Sequence, residues 1–377
     1  MRTIPIIITF ILGIIIGLLI ITTPQGRTSI KTILFVTEII PAFPFKLQEI
    51  FTKEPIRSEM IYYFNQTDAL ADLYKPSGSG NYGAVLLFLG VNPAGRDDPR
   101  VVKLANSLAR SEMIVMIPWS KDMEQKHIDP EIILNLVSAF KALKNLEGVD
   151  QNKLGVAGFC VGASLITAAT ADTTISKDVK FINFFGGYYN ASDLIVAISS
   201  GKSFYNQTIK SWSPDSLTKE VVTNELIDIV SNEEDQRILN NIFSTHTVIQ
   251  HNPQQFDSNE AKIVYELLNT PTVERAKELI KQLPLSARRQ LDVISPSSYI
   301  NDIHADILII QNAEDNLIPV EESRRFANAV TPKSQVSYTE FSIFEHIEPT
   351  KPLDIVPFLH ESFKLFKHMY KILRYTS

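Results

Sequence analysis

One pentapeptide, Gly158-Phe159-Cys160-Val161-Gly162, constrains this chain more than any other stretch. It follows the apolar run Leu154–Ala157 and opens a run with helical character, Val161–Ala171. A strand that turns sharply into a helix strains the residue at the corner. Positions two before and two after the corner must be small, because side chains there collide with neighbouring backbone. The free N–H groups at the helix start, and the positive end of its dipole, point at the corner and favour negative charge there. Cys160 therefore reads as a nucleophile, although a free cysteine is elsewhere often just a small buried hydrophobe. The strand before it and the helix after it supply the context that the nucleophile reading needs.

The surrounding pattern fits a parallel sheet. Ile56–Phe64 partly alternates, a second strand ends at Asp72–Lys75, and Ser77–Asn81 is a turn cluster. Ala84–Leu89 is an unbroken apolar run of the kind found in strands buried on both faces. Strands at Ile114–Pro118, Phe181–Phe185, Ile307–Ile310 and Val336–Phe341 then alternate with helices at Glu131–Leu143, Glu321–Ala329 and Leu353–Leu373. This predicts an α/β fold with a mostly parallel sheet covered by helices on both faces. Between Phe185 and Ile307 no buried-strand run stands out, and helix-like pieces occur at Leu217–Ser231, Glu234–Phe243, Asn259–Leu268 and Thr272–Leu283. Thr272 is a candidate cap. Residues 190–295 thus read as a helical cap inserted into a domain made of 55–189 and 296–377.

A nucleophile needs a base, and the base needs an orienting acid. Asp315 lies just past the strand Ile307–Ile310, in a loop closed by Pro319, with Glu314 as its neighbouring rival. Loops leaving the carboxyl ends of parallel strands are where such sites form. His346 follows the strand Val336–Phe341 and is the expected base. His127, His246, His251 and His304 precede Asp315, and His360 and His368 sit inside the last helix. No pair of histidines has metal-ligand spacing, and neither metal nor other cofactor is expected. Two backbone donors should form an oxyanion hole: the N–H of Val161, and one from the Gly90–Gly95 loop, Val91 with Gly90 as rival.

The N-terminus carries its own signal. Ile4–Ile21 is apolar throughout, and no charge occurs between Arg2 and Arg27. A helix of about 20 such residues crosses the hydrocarbon core. No small-residue cleavage site follows, so residues 1–24 read as a membrane anchor rather than a signal peptide. Its orientation is not set by the flanking charges. Residues 25–54 form a linker in which Pro41 and Pro44 preclude a single helix. Two readings of its apolar residues stand side by side: it lies at the membrane surface, or it packs against the domain. The formal net charge of −6 argues against nucleic-acid binding, and one cysteine allows no intrachain disulfide.

With these motifs assembled, the sequence resembles the α/β-hydrolase superfamily, and more narrowly its dienelactone hydrolase group. Gly-Phe-Cys-Val-Gly-Ala-Ser is similar to that group's cysteine elbow, and Phe88-Leu89-Gly90-Val91-Asn92 to its first oxyanion loop. The resemblance implies an α/β-hydrolase fold and a hydrolase acting on an ester, lactone or thioester through Cys160, Asp315 and His346. The sequence departs from the group in three places. Leu89 stands where the group carries a glutamate, the 190–295 insertion is long, and an anchor precedes the domain. The insertion instead resembles the lids that shape substrate pockets in other α/β-hydrolases. A small acyl compound, lipophilic if the lid and membrane act together, is the implied partner. A catalytically weak scaffold on the same fold and an acyltransferase are the alternatives.

Overall fold

The structure is a computed structural model that describes residues 22–244, 256–344 and 353–377. The segment expected to be a membrane anchor falls almost wholly outside them. Among the described residues no helix is long and apolar enough to cross a membrane.

Among the described residues there are ten strands: β1 Ile56–Phe64, β2 Thr67–Lys75, β3 Tyr82–Phe88, β4 Met113–Pro118, β5 Val149–Phe159, β6 Val179–Phe185, β7 Lys202–Tyr205, β8 Thr208–Ser211, β9 Asp306–Asn312 and β10 Val336–Phe341. Eight of them form one sheet in the order β1-β2-β4-β3-β5-β6-β9-β10. The β1–β2 and β2–β4 pairs are antiparallel, and every other pair is parallel. Each parallel crossover contains a helix, as a parallel connection requires.

Period-2 alternation divides the buried strand residues between two layers. Leu86, Phe88, Met116, Val156, Ile182, Phe184 and Ile309 face the helices Ile132–Lys144, Val161–Ala169 and Ala191–Ser200, together with the cap. Val85, Leu87, Val115, Ala157, Phe181, Phe185 and Ile310 face Pro24–Ile39, Pro99–Arg110 and the C-terminal helix Ile355–Thr376. Strands β3 to β6 and β9 bury side chains on both faces, which is why they read as apolar runs. The edge strand β1 alternates only in part, because it buries little: Tyr62 is buried, Met60 and Phe64 are partly so, and the rest are exposed.

Residues 24–40 belong to this second layer. Pro24 sits in the first helical turn, where its missing N–H costs nothing, and the Thr23 side chain accepts a hydrogen bond from Gly26 N–H at 3.2 Å. Phe35, Val36 and Ile40 are buried with Ala105 and Leu108 on one side and Leu365 and Met369 on the other. Part of this segment packs against the domain, through Phe35, Val36 and Ile40, while Ile33 and Phe45 are exposed.

The insertion differs from its sequence reading. It contains the expected helices, at Ser216–Asp228, Glu233–Ser244, Asn259–Leu268 and Val273–Gln282, and Thr272 caps the last of these. It also contains the helices Ala191–Ser200 and Leu285–Val293 and a two-stranded hairpin, β7–β8, so the cap is not purely helical. The hairpin turns at Asn206 and Gln207, both at positive φ. Its four-residue strands are too short and too polar to show in a pattern of apolar runs. Ala191–Ser200 is buried along most of its length, so it lacks the polar face that marks an amphipathic helix.

If residues 24–40 are part of the folded core, Ile40→Ala should lower stability by about 2–4 kcal/mol. Urea denaturation of the two proteins measures the difference. An effect within error would place the segment outside the cooperative unit.

Candidate active site

The C-terminal ends of β3, β5, β6, β9 and β10 form one rim, because Phe88 pairs with Gly158, Phe159 with Phe185, Phe185 with Ile310 and Asn312 with Phe341. The candidate residues leave from this rim. Cys160 follows β5 and Asp315 follows β9. Only β6 separates these strands, so at the usual strand spacing they lie about 10 Å apart.

Cys160 sits at φ 54°, ψ −140° and immediately precedes the helix Val161–Ala169. A side-chain-bearing residue rarely adopts such a conformation, and holding one there costs about 1–3 kcal/mol. The surroundings enforce it. Cys160 N–H donates to the Phe185 carbonyl at 2.9 Å, and the Cys160 carbonyl accepts from Ala163 N–H at 3.0 Å. Ser164 Oγ donates to the Tyr188 carbonyl at 2.7 Å and accepts from Tyr188 N–H at 2.8 Å, which ties the helix to the chain leaving β6.

The flanking glycines are steric necessities. A Cβ on Gly158 would stand 2.3 Å from Ala163 Cα, and one on Gly162 would stand 2.4 Å from the Leu89 carbonyl oxygen. Gly90 is part of the same contact, since a Cβ there would meet Cys160 Cβ at 2.9 Å. The loop after β3 is thus pressed directly onto the elbow. Val91 and Cys160 are both half-buried against the same core. The Val161 N–H, as the first of its helix, has no acceptor within the helix.

Sequence reasoning missed the residue that braces this loop. Asp72 on β2 is buried and accepts hydrogen bonds from Arg96 Nη2 at 2.6 Å, Arg57 Nη2 at 3.0 Å and Trp119 Nε1 at 3.0 Å. Burial alone would raise its pKa, but the bonds from Arg96 and Arg57 outweigh it and hold the carboxyl below its ordinary value. Arg96 lies in the loop after β3, so Asp72 fixes that loop from below. A lone aspartate in a partly alternating strand carries no sequence signal of such a role.

Asp315 is buried and Glu314 is exposed. Asp315 Oδ1 accepts from the N–H groups of Leu317 (2.8 Å) and Ile318 (3.1 Å), and Oδ2 accepts from Gln311 Nε2 at 2.8 Å. Gln311 is itself oriented by Ser323 Oγ, which donates to its Oε1 at 2.9 Å. The cap is clipped to this loop at three successive carbonyls. Trp212 Nε1 donates to the Asp315 carbonyl at 2.8 Å, Asp215 N–H to that of Asn316 at 2.8 Å, and Thr218 Oγ1 to that of Leu317 at 3.1 Å.

His346 lies outside the described residues, as do His246 and His251. The chain is described up to Phe344, whose ring packs edge-on against Phe185 with centroids 5.1 Å apart. The remaining histidines are placed elsewhere. His304 and His360 are exposed, and His127 Nδ1 lies 3.2 Å from Asp228 Oδ2 on the cap. His368 is buried on the opposite face of the sheet, where its Nε2 meets Asn183 Oδ1 at 2.7 Å, and burial pushes its pKa down to about 3.

A second tie holds the cap to the loop before Ile132–Lys144. Glu225 accepts from Ile128 N–H at 2.7 Å, and Lys126 pairs with Glu220 at 2.7 Å. Burial pushes the Glu225 carboxyl up to about 7. Among the described residues, no cluster of three His, Cys, Asp or Glu side chains could hold a metal ion. A surface cavity of about 540 Å³, lined by residues such as Phe204, Lys277 and Arg325, includes neither Cys160 nor Asp315.

No family model matches the chain, and no curated protein matches it. Among solved structures it is similar to an acylaminoacyl peptidase in complex with Z-Gly-Gly-Phe-chloromethyl ketone, with TM-score 0.51, 13% identity, and coverage of 85% of this chain and 41% of that one. It is also similar to a mutant of the esterase rPPE, with TM-score 0.51, 14% identity, and coverage of 86% and 84%. A third structure, uncomplexed Pyrococcus horikoshii acylaminoacyl peptidase, has TM-score 0.48, 13% identity, and coverage of 84% and 41%. The chain spans about two fifths of the length of these two peptidase structures. Together with the strand order, the likenesses show the fold: an α/β architecture with a mostly parallel sheet and flanking helices, shared with these hydrolase structures.

Two outcomes test this geometry. Gly162→Ala should cost more than about 3 kcal/mol or displace the Leu89–Gly90 peptide, because backbone cannot yield as a flexible side chain can; denaturation and a crystal structure of the variant measure both. Glu225→Gln should stabilise the protein by roughly 1–3 kcal/mol at pH 8 and leave it nearly unchanged at pH 4. The sign follows from a folded pKa above the unfolded one. The protonated carboxyl carries no penalty below about 4.5, the penalty grows as pH rises from there to about 7, and it is complete above that. Melting curves at the two pH values decide it, and an equal effect at both would refute the buried carboxyl.

Proposed function

We propose that this protein is a hydrolase that cleaves esters, lactones or thioesters through a Cys160–Asp315–His346 triad. The observation that carries the reading is the conformation of Cys160. A thiol-bearing residue is held at positive φ, at a strand-to-helix corner, between two glycines that cannot be replaced without collision. Nothing in ordinary core packing demands that arrangement, whereas presenting a nucleophile to a cleft does. Asp315, buried with both carboxylate oxygens bound in a rim loop, supports the role of orienting acid. His346 is two residues beyond Phe344, a reach of no more than about 7 Å in extended chain, and Phe344 packs on the residue whose carbonyl holds Cys160 N–H. The Gly-Phe-Cys-Val-Gly elbow further supports likeness to the dienelactone hydrolase group, and the apolar run Ile4–Ile21 supports attachment to a membrane.

In this mechanism His346 takes the thiol proton as the sulfur attacks the acyl carbon. The N–H groups of Val161 and Val91, with that of Gly90 as the other candidate, stabilise the oxyanion. The C–O or C–S bond to the leaving group breaks, His346 returns the proton to that group, and a thioester remains on Cys160. Water, deprotonated by His346, then attacks the thioester. As the C–S bond breaks, the imidazolium returns that proton to the sulfur, and the carboxylic acid leaves with the water's second proton. Asp315 keeps the imidazole in the tautomer that can accept the thiol proton.

The test is a panel of nitrophenyl esters and thioesters, run with full-length protein in detergent. Cys160→Ala and His346→Ala should each lower kcat/KM by about 10³-fold or more, and Asp315→Asn by about 10²–10⁴-fold. Wild-type turnover that survives Cys160→Ala would remove the cysteine from the reaction. Absence of any turnover across the panel would favour the scaffold alternative.

A further inference from the structure

Large apolar side chains are unevenly exposed on this molecule. Among the described residues fifteen are exposed, and eight of them lie on or beside the layer formed by Pro24–Ile39, Pro99–Arg110 and the C-terminal helix. Phe45, Ile50 and Phe51 follow the first of these helices, and Phe51 is 69% exposed. Val356, Leu359 and Phe363 stand on the C-terminal helix, and Val356 is 77% exposed. The two groups are joined by the Phe43–Phe358 ring contact, with centroids 5.4 Å apart. Both sit on the same side of the sheet, because the three helices share one core cluster. Gln48 fixes the Leu47–Phe51 turn to this layer by donating to the Ser107 carbonyl at 2.8 Å and to Ser111 Oγ at 3.0 Å.

The C-terminal helix presents a graded stripe. Val356, Leu359, Phe363, Lys367, Lys371 and Arg374 recur at helical spacing and are all exposed, apolar in the first half and cationic in the second. Lys367 Nζ lies over the Phe363 ring, 4.7 Å from its centroid, where the two halves meet. This helix carries four cationic residues against the single acid Glu361, in a chain of formal net charge −6. Exposed apolar area of this kind marks an interaction surface, and a basic rim beside it suits an anionic one.

We propose that this three-helix face docks on the surface of a lipid bilayer bearing anionic headgroups. The apolar run Ile4–Ile21 ends three residues before Pro24, the start of the helix at the middle of the face. The inference rests on the membrane attachment proposed above: a segment of that length and composition suits hydrocarbon, and such attachment would bring the following helix to the membrane surface. Each Lys or Arg near an anionic surface adds about 1 kcal/mol. A docked face of this kind would hold the domain against the bilayer rather than on a free tether. The inference does not depend on the catalytic reading.

The test uses the full chain reconstituted in vesicles. The protein has one cysteine, so Cys160→Ser provides a thiol-free background. An environment-sensitive fluorophore is then attached at Phe51→Cys, at Phe363→Cys and, as a control on the cap, at Leu285→Cys, which replaces another exposed apolar residue. Circular dichroism confirms that each variant is folded. In vesicles with about 30% anionic lipid, quenchers carried on lipid tails should dim the first two probes at least about twofold and leave the third unchanged. Charge reversal by Lys367→Glu, Lys371→Glu and Arg374→Glu should reduce that quenching. Quenching at Phe51 and Phe363 no greater than at Leu285, or no association with the vesicles, would overturn the proposal. So would probes shielded from both lipid-borne and aqueous quenchers, which would mean that protein covers the face.

Discussion

The site rests on one close approach of backbone to backbone. Gly162, in the first turn of the elbow helix, lies against the Leu89–Gly90 peptide so tightly that no Cβ fits between them. That contact brings the loop after β3 to Cys160. It also sets the corner at which Cys160 takes its positive φ. Glycine at 158, 162 and 90 is therefore one requirement expressed three times. The strain at Cys160 persists because its N–H donates to the Phe185 carbonyl, its carbonyl accepts from Ala163 N–H, and Ser164 ties the following helix to Tyr188.

Around this contact the supporting groups act on loops rather than on the nucleophile itself. Asp72 gathers Arg57, Arg96 and Trp119 and so immobilises the loop after β3. Gln311 and two backbone N–H groups fix the Asp315 carboxylate. The insertion is tied to the same loop through Trp212, Asp215 and Thr218, so it braces the loop that carries Asp315.

Much of this was legible in the sequence, for identifiable reasons. β3, β5, β6 and β9 are buried on both faces and so appear as apolar runs. The elbow announces itself because sterics force glycine at fixed offsets from Cys160. Asp315 drew notice because its loop leaves a buried strand; in the structure it is buried and Glu314 is exposed. Other features left no trace. The β7–β8 hairpin is four residues a side and polar, and Ala191–Ser200 is buried without a polar face. The role of Asp72 depends on arginines 15 and 24 residues away that only the fold brings together. The packing of Phe35, Val36 and Ile40 into the core could not be separated from a membrane-surface role, since both bury the same apolar stripe.

The most direct measurement of the central claim is the intact mass of the protein quenched during turnover of an activated ester, followed by peptide mapping. The account predicts an added acyl mass on Cys160, lost on treatment with hydroxylamine and absent after Cys160→Ala. An ester turned over with the acyl group on another residue, or with Cys160 still open to alkylation throughout, would contradict it.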